Sequence, residues 1–162
     1  MTHLLAAIAP YVPPSLIQSV LHDPTFTDAP VLERYQAAVL FVDVSGFTPL
    51  TEALAQRGAE GPEELRALLN RYFTAMIALT EAEGGGVVKF SGDAMSVLFL
   101  ANDEPLGFAV RRAKQAAEAM QEAMGDFADL RTSAGFVTLG MKISIGAGDV
   151  LAMQVGGVFD RW

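Results

Sequence analysis

The sequence predicts an α+β domain in which an antiparallel sheet carries helices on one face, and three observations predict it. A short apolar, β-branched run from Ala37 to Val44 ends at Ser45-Gly46 and is followed by two helical patterns. Two further apolar runs, Val87 to Phe90 and Ala94 to Leu100, flank Ser91-Gly92-Asp93, which is a hairpin signal. A third helical pattern then precedes an alternating run at Met141, Ile143 and Ile145. Strand, helices, strand, strand, helix, strand is the order of a split βαββαβ, ferredoxin-like core.

The elements can be justified in turn. Residues 1–36 form a proline-punctuated leader expected to pack on the core, with one short helix at Leu4, Leu5, Ile8 and Ala9 and a second from Pro13 to Leu21. The domain proper is expected to span 37–162. Its first strand, Ala37 to Val44, reads as buried on both faces, with Asp43 near its end. Phe47 to Arg57 suits a helix, Gly58-Ala-Glu-Gly61 breaks it, and Pro62 opens the next at a position where proline is tolerated. That second helix should run to about Glu83, because Leu65, Leu68, Leu69, Tyr72, Phe73, Met76, Ile77 and Thr80 fall three and four apart. Gly84-Gly85-Gly86 terminates it.

After the hairpin, Pro105 to Met124 presents Ala109, Val110, Ala113, Ala116, Ala117 and Met120 as a small-residue face for close packing on a sheet, and Gly125 is expected to close the helix. Arg111, Arg112 and Lys114 read as its solvated face. A polar loop leads to the strand at Met141, and Gly146-Ala-Gly-Asp149 is expected to turn the chain into a last apolar run, Val150 to Val155.

Composition sets limits on function. Of 162 residues, 51% are hydrophobic and 19% charged, enough apolar material for one core and too little charge for disorder. A net charge of −8 argues against nonspecific binding to nucleic acid or anionic membranes, yet leaves room for an anionic ligand carried in on metal ions. The absence of cysteine excludes disulfides, thiolate metal sites and cysteine nucleophiles, so a bound metal is expected to be oxygen-ligated. No apolar run approaches the ~20 residues of a membrane span. The N-terminus lacks a basic leader, and a cytoplasmic location is expected.

Asp43 carries the first chemical signal, because a carboxylate between Val42 and Val44 is costly to desolvate without a cation or hydrogen bonds. The split βαβ order makes the first and third strands neighbours, so Asp43 and Asp93 of the hairpin loop can converge. Alone, Asp93 also reads as an ordinary turn residue. Together the two carboxylates are hard oxygen ligands suited to Mg²⁺ or Mn²⁺ and to two-metal phosphoryl transfer. Ser45, Gly46, Phe47 and Thr48 follow directly and form a helix N-terminus, whose free N–H groups can hold phosphate oxygens. Lys89 interrupts an apolar strand; it fits either an edge-strand lysine or a fixed cation for a ligand. Lys142 has no assigned role, and no hydrolase triad is visible.

Phe41-Val-Asp-Val-Ser-Gly-Phe-Thr48 followed by Val88-Lys-Phe-Ser-Gly-Asp-Ala94 resembles the catalytic domain of class III adenylyl and guanylyl cyclases, over about Ala37 to Val155. Within that family, Arg57-Gly-Ala-Glu60 and the proline-rich leader favour the soluble, bicarbonate-responsive adenylyl cyclase branch. The resemblance implies the nucleotidyl cyclase fold and the conversion of ATP to 3′,5′-cyclic AMP and pyrophosphate, using two Mg²⁺ or Mn²⁺, in intracellular signalling. Asp43 and Asp93 match the family's metal-binding aspartates and Val44 its backbone carbonyl ligand. Gly46, Phe47 and Thr48 match its triphosphate cradle, and Lys89 matches the lysine that reads adenine. The chain stops at Phe159-Asp-Arg-Trp162, before the family's Asn and Arg pair and second purine contact. It therefore looks like the metal-bearing half of a site completed by a second cyclase domain, as homodimer or tandem, and by itself weakly active or inactive. The alternative is a non-catalytic regulatory domain that dimerises with a catalytic partner.

Overall fold

The computed structural model describes Ile17, Leu21 and residues 32–153. Strand β1 (Leu32–Ser45) leads into helices α1 (Phe47–Ala55) and α2 (Glu60–Ala82), then β2 (Gly86–Ser91), β3 (Ala94–Leu100) and α3 (Leu106–Ala123). A 3₁₀ turn at Met124–Phe127, a small hairpin of β4 (Leu130–Thr132) and β5 (Gly135–Val137), and β6 (Gly140–Met153) follow. The main sheet has the order β2-β3-β1-β6 with every neighbouring pair antiparallel, which is the split βαβ arrangement the element order predicts.

One face of this sheet is the core. Residues that pair across strands share a face, and Leu40 with Val97, Ala38 with Phe99 and Val42 with Met95 are all buried beneath the helices. From α2 come Tyr72, Met76 and Thr80, and from α3 Ala109, Ala113, Ala116 and Met120, the small-residue face anticipated above. Thr80 is polar yet buried, and its hydroxyl donates to the Met76 carbonyl one turn back, at 2.9 Å. The methionines at 76, 95, 120 and 124 are all core residues.

The other face is open, so β1 is not buried on both sides as expected. Phe41 is 42% exposed between buried Leu40 and Val42 because the helices cover only one face. The strand also starts earlier than Ala37. The Leu32–Gln36 segment finds partners in β6, from Leu32 opposite Met153 to Gln36 opposite Asp149. That long pairing also removes the expected turn at Gly146–Asp149. Gly146 to Gly148 lie opposite Ala37 to Val39 and continue the ladder, making β6 one strand of 14 residues. The expected helix at Leu4–Ala9 and the end of the Val150–Val155 run lie outside the described residues; Ile17 and Leu21, within the expected second leader helix, are helical.

Between the first two helices, Gly61 is buried in the first turn of α2, where a side chain would strike the end of α1: its Cβ would sit 2.7 Å from the Leu54 carbonyl carbon. At its other end α2 stops at Ala82, and the Gly84 and Gly85 amides bond the Glu81 and Thr80 carbonyls. Arg112 departs from its expected solvated position. Its guanidinium donates to the Leu100 carbonyl at 2.5 Å and to the Gly84 carbonyl at 3.5 Å, tying the end of β3 to the loop after α2. Gly125 does not end α3 in the open; the chain tightens into the 3₁₀ turn and buries Phe127. Arg71 of α2 holds that turn, donating to the Asp126 carbonyl and lying 5.0 Å over the Phe127 ring. The β4–β5 hairpin, read from sequence as a polar loop, is latched to α2 by Glu64, which accepts from the Ser133 amide and hydroxyl.

Candidate active site

The predicted residues gather at one end of the open sheet face. Val42 opposite Met95 is the last pairing between β1 and β3, so Asp43 emerges beside the turn of the β2–β3 hairpin, where Gly92-Asp93 connects the strands. Both aspartates are half-buried. Lys89, Ser96, Phe41 and Ser144 form one row across all four strands, since Lys89 and Phe41 both pair with Ser96 and Phe41 pairs with Ser144. Asp43 is two residues beyond Phe41 and so shares that face. Strand spacing and rise put the Lys89 and Asp43 backbones about 12 Å apart, across two strand intervals and one two-residue step.

Lys89 is exposed on β2, one of the two edge strands of the main sheet, next to a register shift between Val87 and Lys89. The structure thus agrees with the edge-strand reading and also places this cation on the same face as Asp43. A second cation, missed in the sequence, completes the face. Lys142 of β6 is directly opposite Asp43 and exposed. The alternation of Lys142 and Ser144 with Met141, Ile143 and Ile145 was the available signal, and only the strand order turns it into a neighbour of Asp43.

Immediately after Asp43 and the buried Val44 the chain must leave the sheet and start a helix within two residues. Gly46 does this as the residue preceding α1, with φ +99°, and a Cβ there would lie 3.1 Å from the Thr138 carbonyl oxygen. No side chain caps α1. Pro49 lacks an N–H, so the amides available at this helix start are those of Gly46, Phe47 and Thr48. The Phe47 ring is buried against Tyr72, which anchors the loop while its backbone borders the aspartates.

The charged side chains at this end are the two carboxylates and the two lysine amines. Among the described residues no group of three or more His, Cys, Asp or Glu side chains forms a metal cage. Two carboxylates and the Val44 carbonyl would leave several coordination positions for phosphate oxygens and water, the habit of Mg²⁺ and Mn²⁺ rather than of Zn²⁺. The Tyr72 phenol registers both carboxylates at once. Burial pushes its pKa above the ordinary value, and the charges of Asp93 and then Asp43 push it further the same way.

Comparison with known proteins decides the family. Residues 31–162 match the family model described as adenylate and guanylate cyclase catalytic domain. The chain belongs to that family. Among curated relatives, adenylate cyclase type 10 of Oryctolagus cuniculus is 36% identical over 72 residues, 43% of this chain and 4% of the relative, so the chain matches a small part of that protein's length. Solved cyclase structures share the fold. The adenylyl cyclase CyaB from P. aeruginosa superposes with a TM-score of 0.65 at 26% identity, over 78% of this chain and 63% of that one. The guanylyl cyclase Cya2 does so with a TM-score of 0.63 at 31% identity, over 80% and 62%. This cyclase domain is therefore similar to enzymes of both purine preferences, and its α+β fold is that of the class III cyclases. Among the described residues no helix is long and apolar enough to cross a membrane.

Proposed function

We propose that this cyclase domain supplies the metal-binding half of an adenylyl cyclase site, forming 3′,5′-cyclic AMP and pyrophosphate from cytoplasmic ATP in intracellular signalling, together with a second cyclase domain. The observation that carries the reading is the placement of Asp43 beside the Asp93 turn, on the sheet face that also bears Lys89 and Lys142.

The carboxylates of Asp43 and Asp93 and the Val44 carbonyl would hold two Mg²⁺ or Mn²⁺. When bound, such ions acidify the ribose 3′-hydroxyl and neutralise the triphosphate. The amides of Gly46, Phe47 and Thr48 take phosphate oxygens at the start of α1, with Ser45 leading into that turn. Lys142 adds a cation beside Asp43 for charge on the pyrophosphate portion. Lys89, about 12 Å across the face, would read the purine. The ribose 3′-hydroxyl loses its proton to solvent as its oxygen attacks the α-phosphorus, the bond from that phosphorus to the α,β-bridging oxygen breaks, and pyrophosphate leaves with the electron pair. The face itself is open, which suits closure by a partner domain.

Calorimetric titration of the protein with Mn²⁺ and a non-hydrolysable ATP analogue tests the reading. Wild type should bind, and Asp43→Asn and Asp93→Asn should each bind at least about 10-fold more weakly while melting as wild type does. A wild-type protein that takes up neither Mn²⁺ nor the nucleotide would overturn it. Product analysis with ATP and GTP, alone and with an added catalytic partner domain, then identifies the cyclic nucleotide.

A further inference from the structure

Beneath the two aspartates the structure holds one polar atom with no assigned role. The Tyr72 side chain is 1% exposed, and its phenol oxygen has no hydrogen-bond partner. A buried hydroxyl left unpaired costs about 1–3 kcal/mol, and phenylalanine would fill the same space without that cost. A native structure rarely leaves such an atom without a partner.

Its surroundings point to one. The ring makes edge-on contacts with Phe47 at 6.1 Å, Phe73 at 5.2 Å and Phe127 at 5.4 Å. Phe47 begins α1 four residues after Asp43. Phe73 abuts Phe90 at 5.2 Å, three residues before Asp93. Tyr72 therefore packs directly on the segment that follows Asp43 and, through its neighbour Phe73, borders the strand that leads to Asp93. Asp93 itself stands on a two-residue turn at the end of an edge hairpin, half-buried and without a described hydrogen bond.

We propose that Tyr72 is a positioning residue for the divalent-cation site, its O–H donating to the Asp93 carboxylate when a cation shared with Asp43 draws that group in. The proposal rests on the reading of Asp43 and Asp93 as cation ligands. A hydrogen bond of this kind orients a ligating carboxylate and is worth far more to metal affinity than to the fold of the metal-free protein.

The test uses the full 162-residue protein with Mn²⁺ alone as the probe. Free Mn²⁺ is followed by electron paramagnetic resonance for wild type, Tyr72→Phe and Asp43→Asn, alongside near-ultraviolet tyrosine absorption and metal-free melting. Tyr72→Phe should bind Mn²⁺ about 10-fold more weakly, lack the tyrosine difference band that wild type develops on Mn²⁺ addition, and melt without metal at or above the wild-type temperature. Equal Mn²⁺ affinity in Tyr72→Phe, with Asp43→Asn impaired, removes Tyr72 and leaves the cation reading standing. A lower metal-free melting temperature would show that the phenol already has a structural partner, and overturns the proposal. If wild type takes up no Mn²⁺, proposal and reading fall together.

Discussion

Asp43 and Lys142 stand directly opposite each other on β1 and β6, yet they close no salt bridge. Opposed Cβ atoms in such a pair are about 5 Å apart. Two unlike charges held side by side on an open face and left unneutralised can each take a ligand of the other sign, a cation on Asp43 and a phosphate on Lys142.

Lys142→Ala should therefore separate the two ligands. Affinity for the Mn²⁺–ATP analogue complex should fall about 10-fold, the loss of a charge-assisted contact, while Mn²⁺ alone binds equally or slightly more tightly because a like charge is gone. Stability should stay within about 0.5 kcal/mol, since the residue is exposed. Parallel titrations with metal and with the complex check this, and a uniform loss in both would place Lys142 in the fold instead.

On the proposed reading, Lys89 would meet the other end of the nucleotide. Lys89→Glu should lower binding of the ATP analogue more than that of the GTP analogue, because a carboxylate accepts from the guanine N1–H and 2-amino group and repels the adenine ring nitrogens. Competition binding gives the ratio directly. An unchanged ratio would mean that this edge-strand lysine does not meet the base.

Tyr72 gives a pH dependence whose sign follows from its environment. Burial, Asp93 and Asp43 all raise the phenol pKa above 10.0, so the folded protein keeps a proton that the unfolded chain releases. The stability this represents is complete below pH 10 and is lost as pH rises toward the folded value. Urea melts above pH 10 should show a steeper decline for wild type than for Tyr72→Phe, and the wild-type-minus-variant phenolate absorbance should appear only well beyond the ordinary tyrosine range.

Gly61→Ala tests the α1–α2 junction. The added methyl runs into the Leu54 carbonyl, which is backbone and cannot swing aside. The two helices must separate, at a cost of about 3 kcal/mol by the usual measure of overpacking, read as a clear drop in melting temperature. Because α1 begins at the amides proposed to hold phosphate, nucleotide affinity should fall as well. A neutral substitution would show that the junction yields easily.

Much of this was legible in the chain because the signals were local. The four-residue spacing of Tyr72, Met76 and Thr80 names the buried face of α2, and the hairpin around Gly92-Asp93 follows from two apolar runs and a turn. Asp43 could be picked out because a carboxylate in an apolar strand is conspicuous, whereas Asp93 and the Ser45–Thr48 turn gained meaning only from the motifs around them and the strand order. What stayed hidden depended on partners far away in sequence. Gly146 to Gly148 look like a turn until β1 offers them a ladder, and Lys142 looks ordinary until β6 is laid against β1. Arg112 looked solvated because helical spacing says nothing of carbonyls on β3 and the loop after α2. The β4–β5 hairpin is too short, at three residues a strand, for periodicity to register.

The two aspartates are mounted very differently. β1 has a neighbour on each side, whereas β2 has one, and the turn bearing Asp93 sits at the rim. Amide exchange should accordingly be slowest near Val42 and faster around Gly92. A metal ion grasping both carboxylates would moor the rim to the middle of the sheet, and its arrival should be heard as a slowing at Gly92 with Val42 left unchanged.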